Sequence, residues 1–248
     1  MTDYSYIGTG KGYVRKVGAT TGLQELGNAS AITFGVTEDV KTLVDRTKPG
    51  GGTRNEVRRI SSVDFAATLS DVSPNNLAIG FLGDLSQLAA GTKVDEVVTL
   101  YKGGLNLLSQ FADTVTAVKS ATGDVTYDEV DASGAGDYQV TDGGIIVPEG
   151  SAITDAESVK VSFGYGAKTV LQALTQAAGI YEFYFPGFNE AQQSKRFVIR
   201  AFRVRIGATD QLGLITDDFG NLSIKGTVLA DDTQPDGLSQ YFRAELEL

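Results

Sequence analysis

Apolar and polar residues alternate with a period of two along much of the chain, the pattern of half-buried β-strands. Between Ile32 and Val44 the even positions are mostly apolar and the odd ones mostly polar. From Val63 to Leu69 the odd positions are apolar, and Asp64 stands on the polar face. The loop Arg46–Arg54, rich in glycine, joins these segments. The pattern therefore predicts two long strands forming one extended hairpin.

The tip of this hairpin is basic and flexible by composition. Three consecutive glycines, Gly50, Gly51 and Gly52, suit a turn that departs from ordinary backbone conformations. Basic side chains surround them, namely Arg46, Lys48, Arg54, Arg58 and Arg59. A tip of this kind fits contact with phosphate and, equally well, contact with another protein surface.

The strand Phe197–Ile206 changes its parity part-way along. Its apolar residues are odd up to Ala201 and even from Phe202 onward, which predicts one extra residue, a β-bulge, at that point. The bulge places four arginines together on the outer face: Arg196, Arg200, Arg203 and Arg205. Such a row requires carboxylates, which could belong to a neighbouring strand of the same chain or to another subunit.

One short helix is predicted near Pro74–Leu82. Ser73 suits the N-cap, the proline suits the first helical position, and Leu77, Phe81 and Leu85 are spaced by four. The whole pattern predicts a mainly β chain in which a single β domain, residues 1–248, carries one flanking helix. Residues 1–11 are interpreted as a polar N-terminal arm. Residues 121–160 hold nine acidic side chains and one lysine, and are interpreted as an acidic β-hairpin insertion.

Composition narrows the chemistry that the chain can perform. It has 248 residues without cysteine or histidine, which removes thiolate chemistry and the usual general base and metal ligand. The net charge is −10, which disfavours a sequence-reading nucleic-acid binder. The charge is uneven, with +3 in residues 1–60 and −11 in residues 61–160. Head-to-tail contact between copies is one consequence of such asymmetry, and solubility is the plainer one.

Motifs for ligands are weak throughout. The segment Gly8–Gly12 contains a Gly-Lys step but lacks the spacing of a phosphate loop. The acidic residues from Asp124 to Asp137 do not follow the EF-hand pattern. We therefore expect no catalytic residue, no metal and no cofactor. No apolar run is long enough for a membrane span, and no signal peptide is predicted, so synthesis in a cytoplasm is expected.

With these features in order, the chain resembles phage tail tube proteins, the major tail proteins of tailed bacteriophages. The resemblance rests on the basic hairpin across Thr47–Asn55, the helix near Pro74–Leu82, and the ordered segments Asp137–Val140, Gly143–Val147, Val159–Tyr165, Phe185–Glu190, Phe197–Ile206 and Asp217–Asp232. It spans nearly the whole chain. Type VI secretion tube subunits are related to that family in fold.

The resemblance implies a two-sheet β-sandwich or barrel of the tail-tube type, with a short flanking helix and a long hairpin loop. It also implies a structural subunit of the virion tail, made in the host cytoplasm. Six copies would close a ring, and stacked rings would form a hollow, β-lined tube through which viral DNA is ejected. The implied partners are other copies, tape-measure, tail terminator and baseplate proteins, a sheath if the tail is contractile, and double-stranded DNA in transit without specific binding.

Three surfaces receive expected roles under this resemblance. The contact between rings would use the basic hairpin, with Arg46, Lys48, Gly50, Gly51, Gly52, Arg54 and Arg58, and the arm Met1–Lys11. The contact between subunits of one ring would use the arginine row on Phe197–Ile206. Asp64 is a candidate for the lining of the channel, where acidic groups would repel DNA phosphates.

Two other classes remain open from sequence. A monomeric adhesive or carbohydrate-binding β-sandwich would require an aromatic platform, for which Tyr181, Tyr184 and Tyr241 are the candidates. Carbohydrate platforms usually involve tryptophan, and this chain has none. An enzyme using carboxylates, lysine or tyrosine is the third class.

Overall fold

The computed structural model describes residues 4–247, of which strands form most and helices very little: 52% strand and 4% helix. The predicted mainly β fold is confirmed. The elements in chain order are β1 (Gly8–Gly10), β2 (Tyr13–Lys16), β3 (Gln24–Glu25), β4 (Ala29–Val44), β5 (Thr53–Leu69), α1 (Pro74–Gly80), β6 (Asp84–Leu88), β7 (Gly91–Leu100), β8 (Leu105–Asn106), β9 (Thr114–Ser120), β10 (Thr126–Tyr127), β11 (Gln139–Thr141), β12 (Gly144–Ile146), β13 (Glu157–Tyr165), β14 (Lys168–Gln172), β15 (Ile180–Asn189), a 3-10 turn (Glu190–Gln192), β16 (Lys195–Ile206), β17 (Leu222–Val228) and β18 (Phe242–Leu246).

The chain folds as two compact units. The first runs up to Leu85 and resumes at Leu171, and the second is Ser86–Val170. The first unit holds a nine-stranded sheet in the order β3-β2-β15-β16-β17-β5-β4, with β1 added to β15 and β18 added to β16. Each neighbouring pair in this sheet is antiparallel. β4 is therefore an edge strand of the sheet.

The core of the first unit forms where the strands alternate cleanly. Phe65 and Phe183 are fully buried with their ring centroids 4.9 Å apart, and Phe34 packs against both. The predicted inward residues of β5 are all buried, and so are Leu222, Ile224 and Val228 of β17. Burial of each such side chain contributes roughly 1.5–3 kcal/mol to folding.

The predicted bulge in β16 is confirmed. Tyr181 pairs with Val204 and Phe183 pairs with Ala201. An advance of two residues along β15 therefore corresponds to an advance of three residues along β16. The extra residue keeps Ala201, Val204 and Ile206 buried despite their change of parity.

The predicted helix is present and is two residues shorter than expected. Ser73 is its N-cap, with the Asn76 N–H donating to Ser73 Oγ at 3.2 Å. The helix ends at Gly80, so Leu85, expected on its apolar stripe, lies in β6. The apolar side chain that the helix buries most deeply is Ile79, with Leu77 and Phe81 partly buried beside the same core.

The second unit has its own core and two sheets. One sheet has the order β10-β9-β13-β7 and the other the order β11-β12-β8. Their shared core consists of Leu100, Val118, Tyr127, Tyr138, Ile145, Val147, Ile153, Val159, Val161 and Phe163. The expected acidic insertion, residues 121–160, lies wholly within this unit. β6 and β14, which carry the chain into and out of the unit, pair with each other.

Two details of the expected architecture differ from the structure. Residues 4–247 form four sheets instead of two, and none is closed into a barrel. The polar N-terminal arm has a regular part, since β1 pairs with Phe188 and its neighbours in β15. Met1–Asp3, assigned to the same arm, lie outside the described residues.

Candidate assembly surface

The hairpin of β4 and β5 extends far beyond the core that anchors it. β17 accompanies β5 only from Leu69 to Asp64, so the remainder is a two-stranded ribbon. The ten residues Thr53–Ser62 span about 30 Å at 3.3 Å per residue. An isolated two-stranded ribbon is only marginally stable in water, so a partner surface would stabilise it.

An exposed apolar stripe runs along one face of this ribbon. β5 has one extra residue near Ser61, since Thr37 pairs with Ser62 and Glu38 pairs with Ile60. Because of this bulge, Ile60 lies on the same face as the buried Val63 and continues the core face outward. The stripe consists of Val36, Val40, Val44 and Ile60, exposed by 56%, 41%, 50% and 55%, and the ion-paired side chains Glu38, Glu56 and Arg58 lie on the same face among them. The sequence predicted that the three valines face inward, and in the described chain nothing buries them.

The tip is a tight, ordered turn. The Asp45 N–H donates to the Gly52 carbonyl at 2.7 Å, and the Asp45 carboxylate accepts from the Thr47 N–H at 2.8 Å and the Thr47 hydroxyl at 2.6 Å. The two hydrogen bonds from Thr47, above all the one from its hydroxyl, hold the pKa of the Asp45 carboxylate below its usual value. Gly50 and Gly51 have φ of 94° and 58°, values that favour glycine. The three-glycine run is therefore required by the geometry of the turn.

The basic side chains of the hairpin divide into two groups. Arg58 is satisfied within the ribbon, 2.5 Å from Glu56 and 3.3 Å from Glu38. Arg46 and Lys48 in the turn form no ion pair with any residue from 4 to 247. Arg54 and Arg59 likewise form no ion pair with any residue from 4 to 247. The tip therefore presents uncompensated positive charge, whereas Arg58 stabilises the stem.

The arginine row of β16 lies on the outer face of the nine-stranded sheet. Glu182 of β15 forms two ion pairs. One carboxylate oxygen lies 2.5 Å from the Arg200 guanidinium, and the other lies 2.6 Å from the Arg15 guanidinium of β2. The Arg203 guanidinium donates to the Ala230 carbonyl at 3.3 Å. Arg196 and Arg205 are exposed and form no ion pair inside residues 4–247. A carboxylate of the same chain thus neutralises the centre of the row, and its two ends stay open.

Asp64 lies at the root of the ribbon on the exposed face. Its carboxylate accepts from Ser62 Oγ at 3.2 Å and from Thr37 Oγ1 at 3.4 Å. The proposed tyrosine platform is not assembled on one face. Tyr181 packs against the core, whereas Tyr184, three residues later in the same strand, points to the opposite side.

Charge differs between the two units. Ser86–Val170 contains five basic and twelve acidic side chains, a net charge of −7.

Over the described range, no three acidic side chains lie close enough together to hold a metal ion. No helix among residues 4–247 has the length and apolar character to cross a membrane.

The family model described as "Protein of unknown function UCP028589" matches residues 5–245. The chain belongs to this family. No curated protein matches the sequence. Because the match covers both units, the second unit is part of the family's common chain.

In this UCP028589 member, the structure brings together the glycines, Arg46 and Lys48 of the expected contact at the turn. Arg58 lies further down the ribbon, and the arginine row lies on the sheet itself. Sequence reasoning missed one exposed feature, the apolar loop around Leu214 and Phe219. Its signal is two apolar positions next to paired aspartates in a segment without strand periodicity.

Proposed function

We propose that the chain is a self-assembling structural subunit of the tail-tube type, whose copies close into hexameric rings that stack as a hollow tube. The observation that carries this proposal is the ribbon of β4 and β5. It exposes an apolar stripe and an unpaired strand edge together over about 30 Å. A structure of this kind is built to be covered by another surface.

The stripe supplies the driving force for that contact. Its four side chains are about half exposed, so covering them yields roughly half of the 1.5–3 kcal/mol expected for burying each one fully. The free edge of β4 adds main-chain donors and acceptors, which point away from β5 in alternate positions. Edges of this length aggregate unless they are paired, and a closed ring of identical copies pairs them.

Opposite charges on two parts of the chain indicate how one copy is oriented toward the next. The uncompensated cations of the turn, Arg46 and Lys48, complement the unit Ser86–Val170 of another copy, with its net charge of −7. We assign the turn to contact between successive rings on this basis. The open ends of the arginine row, Arg196 and Arg205, are assigned to contact between neighbours in one ring.

The channel of such a tube would carry double-stranded DNA without binding it. A chain of net charge −10 repels phosphates overall, and acidic residues such as Asp64 would keep the lining non-adhesive. Tape-measure, terminator and baseplate proteins, with a sheath in contractile tails, are the partners that this role requires. The proposed location is the virion tail.

Electron microscopy and sedimentation of the purified chain test the proposal. We expect rings about one subunit thick and longer stacks at high concentration. Deletion of Lys48–Thr53, or the pair Arg46→Glu and Lys48→Glu, should leave rings intact and shorten the stacks. The control pair Lys16→Glu and Lys225→Glu changes net charge equally at exposed sites outside the turn and the acidic unit, and should leave stacks unchanged. A wild-type chain that stays monomeric at every concentration would contradict the proposal.

A further inference from the structure

The loop between β16 and β17, Gly207–Asn221, carries an unusual cluster of exposed apolar side chains. Leu214, Ile215 and Phe219 are exposed by 88%, 97% and 94%, the highest values of any large apolar residue from 4 to 247. The loop is nevertheless held in place. Leu212 forms a bridge to Leu222, and the Thr216 hydroxyl donates to the Asp218 carbonyl at 2.6 Å. It therefore presents the three side chains, here called the apolar knob, outward in a fixed loop.

A groove of about 540 Å³, with both polar and apolar groups in its lining, lies elsewhere on the same unit. Its rims are the free edges of two strands, β1 with Thr9 and the start of β4 with Ser30, and aromatic rings such as Phe185 and Phe197 line its floor. Ile199 continues the floor beside them. The aromatic floor suits contact with apolar side chains, and the volume exceeds that of a single one.

The knob and the groove also carry opposite charges. Asp217 and Asp218 stand between the apolar residues of the knob, and neither is ion-paired in the part of the chain that the structure describes. Lys195 lies two residues before Phe197 on the same face of β16, and its side chain is likewise without an ion pair over residues 4–247. The Glu247 carboxylate accepts from the backbone N–H of Arg196 at 3.0 Å.

We propose that the apolar knob of one copy inserts into the groove of a second copy, with its aspartates against Lys195. This rests on the proposed function, since it names a contact by which copies assemble. The two surfaces are different patches of one unit, so the contact is head-to-tail. Contacts of that type generate rings when the rotation closes and filaments when it does not.

Sedimentation of matched variants tests the contact. The triple variant Leu214→Ser, Ile215→Ser, Phe219→Ser should keep its circular dichroism and lose assembly. Its control, Leu107→Ser, removes a 71% exposed apolar side chain from the other unit and should assemble normally. Ser30→Trp should fill the groove and also prevent assembly. A triple variant that assembles like the wild type overturns this contact and leaves the tube proposal standing.

Mixing supplies a result that misfolding cannot imitate. The knob-less variant retains its groove, and the Ser30→Trp variant retains its knob, so the mixture should form a one-to-one complex that grows no further. Thr9→Trp, on the opposite rim, provides a second groove variant. Absence of the complex with both groove variants refutes the proposal.

A labelled peptide of residues 210–222 tests recognition without any assembly. We expect saturable binding to the knob-less chain by fluorescence anisotropy, weakened about tenfold by Asp217→Lys with Asp218→Lys in the peptide. The chain variant Lys195→Glu should bind that altered peptide better than the native one. If the wild type is monomeric, the tube proposal fails, and this titration alone decides the contact: binding supports it, and no binding overturns it.

Discussion

A tyrosine–carboxylate hydrogen bond inside the second unit gives a stability prediction with a defined pH dependence. The Tyr127 hydroxyl donates to Glu157 Oε1 at 2.5 Å, and Glu157 Oε2 accepts from the Thr154 N–H at 2.7 Å and its hydroxyl at 2.9 Å. Tyr127 is 7% exposed. Tyr127→Phe removes one donor from a charged acceptor and leaves the ring packing in place.

The expected loss in the free energy of unfolding is about 1.5–2 kcal/mol, the lower part of the range for hydrogen bonds to charged groups. We take the lower part because Glu157 is only half-buried. For a unit of 85 residues, this shifts the urea midpoint down by about 1 M. Urea titration followed by circular dichroism measures it, and hydrogen exchange of peptides from Ser86–Val170 assigns it to the unit. Tyr101→Phe, exposed in the same unit, should stay within about 0.5 kcal/mol of wild type.

The pH dependence follows from two opposite pKa shifts. The hydrogen bond to Glu157 raises the pKa of Tyr127 from 10.0 to about 12, so its contribution is full below pH 10 and disappears between 10 and 12. The same bond lowers the pKa of Glu157 from 4.5, so that contribution is full above 4.5 and is lost as the pH falls below it. The difference between wild type and Tyr127→Phe should therefore be largest between about pH 5 and 10. A difference that is absent, or constant across that whole range and beyond it, refutes the reasoning.

Three further predictions concern the first unit. Phe183→Ala should cost about 3–5 kcal/mol in urea titrations because the ring is fully buried among other aromatic rings; a loss under 1 kcal/mol would contradict this packing. Asn76→Ala should cost about 2 kcal/mol, since its buried amide donates to two main-chain carbonyls at 2.8 Å, and Asn76→Asp should not restore the loss. Glu182→Gln should cost about 1 kcal/mol at low salt by separating Arg15 from its anionic partner beside Arg200; the loss should shrink in 1 M salt, and a salt-independent loss would argue against an ionic origin.

The long strands were predictable because a single periodicity governs their buried parts. The bulge in β16 left a direct mark in the sequence, since the apolar set changes parity next to Ala201. The inward assignment of Val36 and Val40 failed for a related reason. The alternation of apolar and polar residues shows which face of a strand a residue lies on, but not whether that face is buried. In the ribbon the alternation continues although no core covers its apolar residues.

The second unit was less accessible to sequence reasoning. Its strands β8, β10, β11 and β12 have two or three residues each, too short for any period to emerge. Its core also draws on residues outside strands, such as Ile153. The apolar knob is invisible to periodicity altogether, because three exposed side chains in a loop have the same composition as three buried ones.

The pairing of β6 with β14 makes the second unit a cassette, a segment that can be removed or replaced as a whole. Both segments that connect it to the first unit are hydrogen-bonded neighbours, so a short turn joining Leu88 to Lys168 would bypass the cassette without cutting any strand of the nine-stranded sheet. Chain ends that meet this closely are where proteins tolerate inserted or replaced domains. The surface of the second unit can therefore change without any change in the nine-stranded sheet, and in the assembly proposed above a reporter domain grafted at the same junction would stand at one site per subunit.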